Sequence, residues 1–69
     1  MAKERAELAV FGLLRLAENH LIAALTALKK AIEVAEMENI RLKGAEEAEK
    51  AIAEAIRATG EVRPSDRKT

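Results

Sequence analysis

The sequence predicts an all-α protein, a hairpin of one long and one short helix that assembles with further copies of itself. Three observations carry that expectation. Ala, Glu, Leu, Lys and Arg supply 46 of the 69 residues, well beyond the half that already marks long helices. Strand formers are scarce, with one Phe and no Trp or Tyr. Apolar residues recur every seven positions from residue 10 to residue 36.

The first helix is expected from about 3 to 40, with Glu4 and Glu7 near its positive end. Sorted in sevens, it carries four apolar columns. They are Leu14, Leu21, Leu28 and Ala35; Phe11, Glu18, Leu25 and Ile32; Ala17, Ala24 and Ala31; and Leu13, His20, Ala27 and Val34. Two adjacent columns make one helix–helix seam, whereas four make a face wide enough for two or three neighbours. The Ala column allows a neighbour to approach toward the short end of the usual interaxial range. Gly12, Asn19, Thr26 and Glu33 mark the polar side, on which Leu16, Ile22 and Met37 are unexpectedly apolar.

The break falls in "MENIRLKGAEEAEK". Arg41 and Lys43 suit a helix C-terminus, and Glu46, Glu47 and Glu49 an N-terminus. Gly44 serves either as the residue after the first helix or as the N-cap of the second, and Asn39 is an alternative stop. The first helix is expected to end between 38 and 43. The second is expected over 45–59, with Ala45, Ala48, Ile52, Ala55 and Ile56 as its apolar stripe and a Glu46–Lys50 pair on its surface. Gly60 then ends the helix, Pro64 stops any continuation, and 61–69 forms a short solvated tail. Residues 1–60 thus read as a single two-helix domain.

The two lengths do not match. Folded back, the short helix covers the long one to roughly residue 24 and leaves residues 8–22 bare, the most apolar part of the chain. Each large apolar side chain left in water forgoes about 1.5–3 kcal/mol. Chains this small usually need disulfides, a metal or oligomerisation. There is no Cys and one His, so oligomerisation is the expected device. The expected interface is Leu8, Phe11, Leu13, Leu14, Ala17, Leu21, Ala24, Leu25 and Leu28, and the first expected assembly is a dimer of hairpins forming a helical bundle.

Chemistry is sparse. His20 has Leu16, Ala17, Ala23 and Ala24 at the positions where a same-helix metal partner would stand. Glu18-Asn19-His20 lacks the spacing of a di-iron bundle. Phosphate loops, Cys nucleophiles and Ser-His-Asp sets are missing. The chain is expected to be no enzyme, with no cofactor and no metal. The longest charge-free run after His20, "LIAALTAL", is too short to span a membrane, and no export signal is read. A cytoplasmic protein is expected, of thermophile-like or designed composition. Two other readings stand beside self-association. One is an adaptor that docks its apolar helix onto a different protein. The other is a coat subunit gripping a nucleic-acid backbone, which the balanced charge and lack of stacking aromatics support weakly.

Overall fold

The computed structural model describes residues 2–62. Helix α1 spans Ala2–Met37 and helix α2 spans Ala45–Gly60. The two pack against each other as a hairpin. Length dominates the shape: the long axis measures 57 Å and the thinnest 11 Å, about the diameter of a single helix. The radius of gyration is 17.0 Å, against about 11 Å for a compact chain of this size.

Helix α1 ends at Met37, short of the expected 38–43, because Asn39 takes a left-handed conformation with φ 59°. The Ile40 N–H donates to the Ala35 carbonyl at 2.8 Å and the Asn39 N–H to the Glu36 carbonyl at 3.3 Å. That pair of bonds is a Schellman closure, and Asn is the residue other than Gly that most readily tolerates it. Arg41 and Lys43 consequently lie in the connection rather than in the last turn of α1. Gly44, with φ 80°, becomes the N-cap of α2, and its carbonyl accepts the Ala48 N–H at 3.0 Å.

At its other end α2 runs one residue beyond the expected 59. Gly60 is helical, and the cap is Glu61 in a right-handed conformation. Gly60 is used for closeness instead: a Cβ there would stand 3.3 Å from Oε2 of Glu18. Residues 63–69, including Pro64 and most of the expected tail, lie outside the described residues.

The packing seam follows seven-residue spacing. On α1 the half-buried positions are Glu7, Leu14, Glu18, Leu21, Leu25, Leu28 and Ile32, followed by Ala35, which is buried. On α2 they are Ala45, Glu49, Ile52, Ala55, Ile56 and Thr59. Ala48, expected on this stripe, is exposed, since the seam turns through Glu49, whose methylenes can lie along it while the carboxylate reaches water. The expected Glu46–Lys50 pair is not among the ion pairs of the described residues. Arg57 instead bridges Glu54 at 2.7 Å and Glu61 at 3.3 Å. Exposed pairs of this kind contribute only tenths of a kcal/mol.

Candidate interaction surface

Because α1 stops early and α2 starts beside Ile32, Ala35 and Glu36, α2 reaches farther back than residue 24. Its last turn lies beside Glu18, and Thr59, Gly60 and Val62 share a groove with Phe11, Leu14, Arg15 and Glu18. The bare segment is therefore not 8–22 on every side. It divides into two parts that differ in cause.

The first part is the N-terminal end of α1, which extends past α2. Leu8 lies there, 71% exposed, and Phe11, at the margin of the groove beside the last turn of α2, is still 51% exposed. The second is the long side of α1 turned away from α2. Val10, Leu13 and Leu16 are exposed on it, and Leu13 is 65% accessible. Leu13, Leu16, Ala17 and His20, with the edge of Leu21, line a shallow apolar groove. Farther along the same side come Ala23, Ala24, Ala27, Ala31 and Val34, all exposed.

The nine residues expected as one interface are thus separated by the fold. Leu14, Leu21, Leu25 and Leu28 lie half-buried on the seam to α2. Leu8, Phe11, Leu13, Ala17 and Ala24 remain exposed. Of the four apolar columns, two serve α2 and two serve nothing within the chain. Val10, Leu16, Ala23 and Ala27 belong to the exposed side but were not among the nine. Their signal was present in Leu16, which breaks the polar side one helical step from Leu13.

Burial within the chain is slight. Ala35, at 6% exposure, is the one buried apolar residue among those described, while Leu8, Phe11, Leu13, Leu16 and Ile22 are each close to or above half exposed. The total accessible area is 6062 Å², whereas a compact monomer of this mass exposes about 4,200 Å². The surplus of about 1,800 Å² is comparable with the area one subunit covers in an obligate interface.

Charge chemistry offers less. Glu36, Glu46, Glu47 and Glu49 border an open depression where the connection enters α2. Among the described residues no group of three or more His, Asp or Glu side chains is arranged to hold a metal ion. His20 stands exposed in the apolar groove.

By length and composition alone α1 is long and apolar enough to cross a membrane, a test that the core helix of a soluble protein also passes. The apolar stretch within α1 includes Arg15 and Glu18, which interrupt the charge-free runs, and further charges flank it at both ends of the helix.

Comparison with protein-family models, with curated proteins and with solved structures found no match to this chain.

Proposed function

We propose that this chain is a non-enzymatic, self-associating structural module that buries the exposed side of α1 against further copies of itself. One observation carries the reading. The hairpin buries a single alanine among the described residues, while large apolar side chains line the open side of its long helix. Hydrophobic burial is the main force opposing chain entropy, so a seam of half-buried residues leaves a 69-residue hairpin marginal by itself. Closing α1 against a partner supplies the missing burial.

A second reading, insertion of α1 into a bilayer, draws support from its length and apolarity. Arg15, Glu18, Asn19 and His20 cluster near the middle of the helix and oppose it, since an arginine at the centre of a span costs about 2.5–3.5 kcal/mol.

Light scattering behind a sizing column, at two concentrations, tests the proposal. The expected result is a defined multiple of 7.5 kDa without detergent. A 7.5 kDa species would sink the proposal and turn attention to a different protein partner. Recovery only in detergent, with co-sedimentation on vesicles, would favour the bilayer.

A further inference from the structure

Resting on that reading, we infer that the second copy docks antiparallel on the side of α1 opposite α2, with the two-fold axis passing close to His20. Two independent features of that side point to this geometry, one of shape and one of charge.

The shape changes across His20. Next to it the exposed side presents Leu13 and Leu16 before and Ala23 and Ala27 after; farther out the order reverses, with Ala6 and Ala9 before and Lys30, Val34 and Met37 after. A parallel copy would set the leucines against leucines and the alanines against alanines, leaving some levels overpacked and others hollow. An antiparallel copy sets each large residue against a small one: Leu13 faces Ala27 of the other copy, and Leu16 faces Ala23. Interiors are packed like crystals, so this knob-to-gap match favours one direction of docking. The alanines also admit an interaxial distance near 8 Å.

Charge gives the same direction. Lys3 and Glu38 stand on one border of this side, five heptads apart; Arg5 and Glu33 stand on the other, four heptads apart. The N-terminal end of both borders is thus basic and the C-terminal end acidic. Around a two-fold axis each border meets itself reversed, so Lys3 approaches Glu38 and Arg5 approaches Glu33 of the other copy. Parallel docking would place like charges at both ends. Both pairs bring the crossing point close to residue 20, where the shape also centres. Lys30, already 3.6 Å from Glu33 on its own helix, can reach to the edge along its methylenes. Antiparallel helix dipoles add to the preference.

The product would be a layer of helices in the order α2, α1, α1, α2, with the polar sides of α2 facing water at both edges. That differs from a bundle closed around the α1–α2 seam.

The chain contains no Cys, so a single introduced thiol carries one spin label at a known place. Asn19→Cys reports beside the axis and Ala6→Cys near one end, both at exposed positions. Pulsed dipolar spectroscopy on each labelled assembly, its mass checked by light scattering, should give under about 20 Å between labels at position 19. Labels at position 6 should be about 42 Å apart, from 28 residues of helical rise. Val34→Cys should repeat the long distance from the opposite end. Short distances at both 6 and 19 would mean parallel docking and overturn the inference while leaving self-association intact. Correct mass with a long distance at 19 would mean that another surface docks, with the same consequence. A monomer would instead overturn the self-association on which the inference rests.

Discussion

The two apolar sides of α1 are built differently, although they share one helix. The side under α2 repeats large residues, with Leu14, Leu21, Leu25, Leu28 and Ile32 interrupted once by Glu18. Its partner is the stripe of Ala45, Ile52, Ala55 and Ile56, small enough to let a regular row of leucines close over it. On the opposite side large and small residues trade places about His20: Leu13 and Leu16 stand before it where Ala23 and Ala27 stand after, and Ala6 and Ala9 stand before where Lys30 and Val34 stand after. A uniform side fits a partner of uniform character, whereas this one fits a partner running in reverse. The difference teaches that sevenfold spacing alone does not describe an interface; the order of sizes along it carries the direction of the partner.

Substitutions on each side should separate these roles. The largest effect is expected for Leu25→Glu, which places a carboxylate in the seam to α2. Loss of apolar burial and the cost of desolvating the charge together amount to about 3 kcal/mol, enough to unfold a marginal hairpin. Circular dichroism should show lost helicity, and retention of full helicity would mean that the seam is not what holds the hairpin.

Leu16→Glu should act on the other side. The hairpin keeps most of its helix, but the dissociation constant rises by about 100-fold, or roughly 2.7 kcal/mol. Sedimentation equilibrium reads this directly, and an unchanged constant would remove Leu16 from the interface.

Size order can be tested by exchange. Ala27→Leu should weaken association by about tenfold, roughly 1.4 kcal/mol, because a leucine is added where Leu13 of the other copy already fills the space. Adding Leu13→Ala to the same chain should restore it, since large again meets small. If the double variant is weaker than either single one, Leu13 and Ala27 do not face each other.

Two smaller effects calibrate the hairpin itself. Gly44→Ala meets open space, so its cost is backbone strain alone at φ 80°, about 1–2 kcal/mol by thermal melting. Ala48→Lys should change stability by less than about 0.5 kcal/mol, because Ala48 lies off the seam. A large loss there would restore the stripe that sequence spacing alone suggests.

Several features were legible before any coordinates. Both helices, the break near Gly44, the start of α2 at Ala45 and the four apolar columns all follow from propensity and period. The stop of α1 was harder, because Asn39 and Gly44 are both competent to leave the helix and local rules rank them almost equally. The hydrogen bonds from Asn39 and Ile40 back to Glu36 and Ala35 decide for Asn39. From that choice follows the reach of α2, whose final turn comes to Glu18 instead of residue 24.

The sequence by itself determined that α1 has more apolar surface than one short helix can cover. That is a matter of residue count and helical period, both local. Which pair of columns α2 occupies was decided only by the tertiary structure. All four columns are apolar, and the selection depends on where the connection ends, with Glu49 near Ile32 and Ala35, and on how Thr59 and Gly60 seat beside Glu18. Those are long-range geometric facts, set by the closure at Asn39 and the turn at Gly44. Once α2 takes its seam, the remaining side of α1 is fixed by elimination, and the exchange of leucine for alanine about His20 becomes readable.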